Sequence, residues 1–569
     1  MAGGTGILAQ AADPQFGGDG SCRIRLGADG VDVPVFPFAV VEAGAGRADR
    51  AVDSLGGLAQ PVPAFRVSRL LPATEPALLG RRQERRQCRL PAIDPISIPV
   101  RRLDSPAIRT ETTALWQLAW PILIGQLATM GMGVVDVAMA GHASAQDLAG
   151  VSLGVSIWHL VIITLMGILM AVSPIVSQHV GGGNFHAIPG VVRQALWKAL
   201  GLGLIAMLVA NIAAELFNHL DIEPQVRVVA SDFVLIISFA LPAFCCYRVL
   251  YGFSASMGET KPMMLIALVA LLLNIVINYA LVFGNWGFPR LGGVGCAWAT
   301  LLCVWFDLVV IVWWIRRSPV YRKAQPLDAF EPARWPQIRN LLRIGLPIGV
   351  TYFAESSAFS LIALLVAGFG TTQVAAHQIA LNFSALVFMV PMSLGIALLT
   401  RVGQALGAQD PAAARFRAWH GVGLAFLVAL VSAVSIALFT DQIASAYTSD
   451  AAVAALAAHL LVFAALFQLP DAVQVSTSCA IRAYKVTRPP MVIHMAAFWG
   501  ICLPLGCVLG LAPAWLPWRP VQAMAAEGFW IALVLGLSIA AVGLVWLLNR
   551  LSLQWLQGAP LPAPATGGN

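Results

Sequence analysis

Met263-Met264-Leu265-Ile266-Ala267-Leu268-Val269-Ala270-Leu271-Leu272-Leu273-Asn274-Ile275-Val276-Ile277-Asn278-Tyr279-Ala280-Leu281-Val282-Phe283 runs without one charged side chain. Coiled as an α-helix at about 1.5 Å per residue, such a run crosses the roughly 30 Å hydrocarbon core of a bilayer. Its two asparagines, Asn274 and Asn278, are spaced i, i+4 and so share one helical face. There the amide oxygens suit coordinating a cation or bracing a carboxylate, and equally serve as interhelical glue.

Outward from this run, comparable apolar stretches repeat from Leu115 to Leu548, each closed by a charged or Gly/Pro-rich segment. They predict twelve transmembrane helices, at 113–140, 150–173, 191–216, 231–253, 263–283, 293–315, 344–369, 375–400, 419–440, 454–480, 491–511 and 527–549. Composition agrees, because 58% of the 569 residues are hydrophobic and 11% charged, a balance that a water-facing surface does not sustain. Residues 1–105 differ, being rich in Gly, Ala, Pro and Arg, with basic clusters such as Arg81-Arg82-Gln83-Glu84-Arg85-Arg86 and no sustained periodicity. This extension reads as disordered or, since no Met falls between Met1 and Met130, as translated upstream sequence. It lacks the charged start, apolar stretch and small-residue cleavage site of a signal peptide. The nine cysteines form no CxxC pair, and most fall in or beside apolar runs as small packing residues.

Orientation explains the formal charge of +7 better than a nucleic-acid partner does. One set of alternate loops carries Arg193, Lys261, Arg316, Arg317, Arg322, Lys323, Arg334, Arg339, Arg343, Arg401, Arg415, Arg417, Arg482, Lys485 and Arg488, against Arg227, Arg290 and Arg519 in the other. The first set is expected to face the cytoplasm, with both termini. The chain also repeats itself. Pro121 pairs with Pro347, and Gln178-His179-Val180-Gly181 with Gln404-Ala405-Leu406-Gly407, both at an offset of 226; Thr260-Lys261-Pro262 meets Thr487-Arg488-Pro489 at 227. A near-constant offset implies duplication, and six helices per copy make the repeat parallel, its axis along the membrane normal and a cavity between two lobes. The expected fold is an all-α polytopic membrane protein, with lobes at 106–330 and 331–552 and a cytoplasmic tail at 553–569.

A carboxylate at mid-bilayer costs about 2.5–3.5 kcal/mol, so each one inside a span needs a partner, a proton or a water-filled cavity. Three stand out: Asp136 toward the outer end of the first helix, Glu355 near the middle of the seventh and Asp471, directly after Pro470, near the middle of the tenth. No Arg or Lys lies within two turns of Glu355 or Asp471 on its own helix, and such acids bind Na⁺, H⁺ or an organic cation. The competing reading is a structural hydrogen-bonding role within the bundle. Gln378 and Asn382 repeat the i, i+4 spacing on the eighth helix. Asp307 has no evident partner, and Lys198, His494 and Glu215 read as structural or as snorkelling groups. Pro121, Pro174, Pro242, Pro347, Pro391 and Pro470 each remove a backbone hydrogen bond in or near a helix interior and permit a bend.

With these residues in view, the chain from about 110 to 550 resembles the multidrug and toxic compound extrusion (MATE) family, in its bacterial sodium-coupled efflux branch. The resemblance rests on Val135-Asp136-Val137-Ala138-Met139-Ala140-Gly141-His142, on Pro347-Ile348-Gly349 with Glu355, on Phe467-Gln468-Leu469-Pro470-Asp471-Ala472-Val473-Gln474, and on Asn274 with Asn278. It implies a V-shaped pair of lobes in the inner membrane that exchange Na⁺ or H⁺ moving inward for bulky, often cationic drugs moving outward. By position, Asp136, Asn274 and Asn278 would form the site of the first lobe, and Glu355 with Asp471 the cation site of the second, suited to Na⁺. One departure is visible, Ala483 and Val486 standing where this branch usually has Gly and Asp. No cofactor and no obligatory protein partner is implied.

A flippase for a lipid-linked saccharide shares the general architecture, but its anionic cargo favours Arg or Lys in the cavity, whereas the mid-membrane charges here are mainly acidic. A membrane enzyme would need a nucleophile with its base or a metal motif, and the chain has no HExxH and no His pair on one helix.

Overall fold

The computed structural model describes residues 105–219, 223–513 and 522–558, together with three short strands in a separate N-terminal unit. Those strands, β1 (Gln15–Phe16), β2 (Cys22–Leu26) and β3 (Val31–Pro34), form an antiparallel sheet in the order β1-β2-β3, with Ile24 opposite Val33. They lie in the extension whose sequence reads as disordered or as translated upstream sequence. Arg23-Ile24-Arg25-Leu26 and Val31-Asp32-Val33 do alternate with the period of two that suits strands, but over too few residues to register beside the surrounding Gly- and Pro-rich sequence. The rest of 1–104, and 559–569 of the expected tail, lie outside the described residues.

The second unit is all-helical, with helices α1 (Ser105–Ala143), α2 (Ala145–Leu169), α3 (Val172–Gly181), α4 (Ile188–Ala214), α5 (Pro224–Ser238), α6 (Leu241–Ser256), α7 (Lys261–Phe283) and α8 (Gly293–Arg317) in its first half. The second half contains α9 (Trp335–Val366), α10 (Thr371–Gly407), α11 (Pro411–Leu438), α12 (Thr440–Tyr447), α13 (Ala451–Ala483), α14 (Arg488–Met495), α15 (Leu503–Leu511) and α16 (Ala525–Leu556). Among the described residues eleven stretches are long and apolar enough to cross a membrane, and α5 with α6, bent by 46° at their junction, makes a twelfth when the pair is taken as one span.

Duplication shows in the element bounds. The second span, Ala145–Gly181, and the eighth, Thr371–Gly407, are both 37 residues long and stand 226 apart. One difference is informative. The second span breaks between Leu169 and Val172, where Pro174 removes a backbone donor, while the eighth runs unbroken through Thr400, its counterpart. Lys198, 3% exposed, donates to the carbonyl of Ile168 at 3.1 Å and so satisfies the end of α2. It is structural and does not snorkel.

Several helices run past their expected bounds, α1 by eight residues and α9 by nine at their N-termini. Hydropathy reports contact with lipid, whereas these polar turns are helices packed on protein. Glu111 of α1 accepts two hydrogen bonds from Arg401 of α10, at 2.9 and 2.6 Å, and pairs with Arg417 of α11 at 3.4 Å. The turn before α9 is held on α4, where Gln194 bonds the carbonyl of Pro332 and the N–H of Arg334. Loops rich in Arg and Lys gather at this end of the bundle, called here the basic end.

The two halves touch closely toward the basic end. Gly345-Leu346-Pro347-Ile348-Gly349 of α9 crosses α2, and a Cβ on Gly167 would lie 2.7 Å from the Cα of Gly349. Further along, Gln178 donates to the carbonyl of Ala483 at 2.8 Å and Gln404 to that of Ser256 at 3.2 Å, two bonds related by the internal repeat.

Candidate ion and substrate sites

Asp136 of α1 is held by two neighbouring helices. The Nδ2 atoms of Asn274 and Asn278 on α7 donate to its Oδ1, at 3.1 and 2.6 Å, and Thr300 Oγ1 on α8 donates to its Oδ2 at 2.6 Å. Asp136, Asn274 and Asn278 are buried, so the i, i+4 pair does brace a carboxylate. Asn278 Nδ2 also reaches Asn274 Oδ1, which leaves Asn278 Oδ1 as a buried acceptor with no donor among the described residues. Such an orphan beside a carboxylate suits a proton, a water or a cation.

Sequence reasoning missed Thr300. Its only signal is a lone hydroxyl on the same face as Cys296, whose thiol donates to the Asp136 carbonyl. Thr300→Val should strand Asp136 Oδ2 at a cost of about 1–3 kcal/mol. The measurement is the unfolding temperature of the solubilised protein, expected to fall for Thr300→Val and to hold for Thr300→Ser.

Glu355 and Asp471 occupy a different environment. Asp471 is buried and Glu355 half-buried, and neither side-chain carboxylate takes part in a hydrogen bond or ion pair among the described residues. They are within electrostatic reach of each other, and Arg482 is the cationic neighbour of Glu355. On the side away from the basic end, one turn from each acid, Phe359 meets Phe467 edge to face at 6.1 Å, with Phe498 and Trp530 beside them. Toward the basic end the flanking pair is Tyr352 and Arg482, joined at 3.2 Å. Asp471 also lies in a buried polar stripe along α13 with Gln468 and Gln474, each of which has an Oε1 without a partner among the described residues. Unmatched acceptors on both sides of a buried acid suit a hydrated or ion-accepting interior.

Trp499 was not anticipated from the sequence. Between α14 and α15 the chain winds as a π-helix, Ala496–Cys502, and the Trp499 indole donates to the carbonyl of Ala354 at 3.1 Å, next to Glu355. A π turn in a long helix commonly marks a functional position.

Other expected residues lie elsewhere. Gln378 and Asn382 are exposed on α10, and no hydrogen bond among the described residues joins them to either set of acids. Asp307 Oδ1 is buried without a partner among the described residues. His494 is buried between Gln474 and the carbonyl of Pro490, and Glu215 bonds Asn218 at the surface. Arg482 departs from its expected place in a loop, being buried in the last turn of α13. No group of three or more His, Cys, Asp or Glu that could hold a metal ion occurs among the described residues.

The MatE family model matches residues 121–280 and again 347–508, one copy for each half of the repeat. Multidrug resistance protein PmpM of Pseudomonas aeruginosa is 43% identical over 454 residues, 79% of this chain and 94% of its own length. Probable multidrug resistance protein NorM of Neisseria meningitidis serogroup B is 36% identical over 461 residues, 81% of this chain and 98% of its own. The crystal structure of the eukaryotic MATE transporter AtDTX14 superposes with a TM-score of 0.71 at 18% identity, covering 80% of this chain and all of that one, a likeness of fold. The duplicated architecture, the acids of both halves and these matches agree: the chain belongs to the MATE family.

Proposed function

We propose that this protein is a secondary active multidrug efflux transporter, exchanging Na⁺ or H⁺ moving inward for organic, often cationic, compounds moving outward. The observation that carries the reading is the pair Glu355 and Asp471, acids at membrane depth without an ion pair among the described residues. They have vacant acceptor capacity for a cation that arrives and leaves. Family membership and relatives named as multidrug resistance proteins support the same reading. The basic end then faces the cytoplasm of the inner membrane, with both termini.

In this reading Glu355 and Asp471 take the coupling ion, while Asp136 with Asn274 and Asn278 forms the site of the first lobe. Gln378 and Asn382 are assigned to substrate contact. Na⁺, a hard cation, would share the carboxylates with neutral oxygens, whereas H⁺ would neutralise one directly. Either ion competes with a cationic drug for the same charge. Coupling follows because an ion shifts a conformational equilibrium only through differential affinity for the two states. Aromatic walls such as Phe359, Phe467 and Trp530 accept flat cations with little shape selectivity.

The flippase reading asks for cations open to an anionic cargo. Lys198 is committed to the carbonyl of Ile168 and Arg482 is held on Tyr352, which favours efflux. The test is ethidium movement in proteoliposomes of the full chain, under an imposed Na⁺ gradient and, separately, a pH gradient. Gradient-dependent movement names the ion. No movement under either gradient, with folded protein present, would overturn efflux and favour the lipid-linked cargo.

A further inference from the structure

Arg482 is 5% exposed, and no carboxylate among the described residues lies within ion-pair distance of it. Its Nη1 donates to the Tyr352 hydroxyl at 3.2 Å, and the guanidinium stands 5.1 Å from the centre of that ring. The same Nη1 is 3.9 Å from Met170 Sδ of the first half, while the Tyr352 hydroxyl is 3.6 Å from Met170 Sδ and 3.9 Å from Met392 Sδ. Ile122, Ile396 and Val475 complete an apolar cluster that draws on both halves. A cation is thus enclosed in the plug where the halves meet, one turn to the cytoplasmic side of Glu355.

Enclosing a charge in such surroundings is costly, and packing alone would be served as well by Met or Leu. A fixed cation in a narrow passage repels every other cation, a device that pores use to exclude protons and metal ions. Resting on the transport reading above, we propose that Arg482 is the electrostatic stop of the ion path: cations entering from outside reach Glu355 and Asp471 and go no further while the cytoplasmic end is closed. The stop keeps ion flux tied to drug flux. When the halves part, Met170 leaves the cluster with its own half, and the passage widens around Arg482.

The test is ion leak without drug. Proteoliposomes of the full chain are loaded with an imposed Na⁺ or pH gradient, and its decay is followed for wild type, Arg482→Met, Arg482→Gln and Arg482→Lys, with melting of each protein as the check on folding. Arg482→Met keeps bulk and removes charge, so the gradient should decay about tenfold faster or more, the equivalent of roughly 1.4 kcal/mol of lost barrier. Arg482→Gln should leak likewise and serves in its place should the Met protein not fold. Arg482→Lys keeps the charge and should hold the gradient as wild type does. A folded Met or Gln protein that holds the gradient overturns the proposal, as does a Lys protein that leaks as fast as they do, which would mark a steric plug. Ethidium efflux by wild type in the same vesicles separates the two readings: its absence overturns the transport function itself, whereas its presence beside a tight Met variant overturns only the role of Arg482.

Discussion

Asp471→Asn and Glu355→Gln proteins should insert and melt at or slightly above the wild-type temperature, yet move ethidium no faster than empty vesicles under any gradient. The unusual half of this expectation is stability. A carboxylate at mid-membrane costs about 2.5–3.5 kcal/mol, and nothing among the described residues offsets it here by a hydrogen bond or ion pair. An amide of the same shape removes that cost, so loss of transport would come without loss of fold, the usual trade between function and stability. Asp136→Asn should behave differently. Asp136 accepts from Asn274, Asn278 and Thr300, and an amide nitrogen placed among those donors loses partners, so both melting temperature and transport should fall. Full gradient-driven efflux by both the Asp471 and Glu355 variants would sink the assignment. A large fall in their melting temperatures would make these acids structural instead.

Much of this architecture is legible in the sequence, because lipid imposes a strong one-dimensional code. Runs such as Met263–Phe283 mark spans directly, and an offset near 226 survives because the duplicated halves still pack alike. The i, i+4 spacing of Asn274 and Asn278 marks a shared polar face, and the family resemblance is what points that face to Asp136, 138 and 142 residues away. Spacing alone does not say which face is buried, though, and Gln378 with Asn382, an identical pattern, comes out exposed. Thr300 leaves no local trace, since its partner is 164 residues away. Arg482 misleads for a plainer reason. Cations at the end of an apolar run normally turn toward water, and only the packed structure shows this side chain turned back onto Tyr352. Trp499 depends on a π turn that no hydropathy pattern encodes.

Gly181→Val and Gly407→Val should each hold the basic end open, and to the same degree. A Cβ on Gly181 would overlap the carbonyl oxygen of Gln404, and one on Gly407 that of Gln178, so the two backbones meet across the repeat at positions that admit hydrogen only. Beside them Gln178 and Gln404 each cross to the opposite half, to Ala483 and Ser256. Valine cannot be accommodated by a rotamer change, because the obstacle is backbone. Overpacking of this kind costs about 1–3 kcal/mol or more, which would shift the balance between closed and open by roughly 5- to 150-fold. The readout is a cysteine at Ser356, beside Glu355, in an otherwise cysteine-free protein, labelled by an impermeant maleimide applied at the basic end. Labelling should rise in both valine proteins and fall short of that in Gln178→Ala, which removes one hydrogen bond and introduces no clash. Gly201→Val, at a helical glycine with open space around it, should leave labelling unchanged. Wild-type labelling in either Gly181→Val or Gly407→Val would mean that this contact does not govern closure. A strong effect in one and none in the other would mean that the two halves, alike in sequence here, have ceased to act as equivalents.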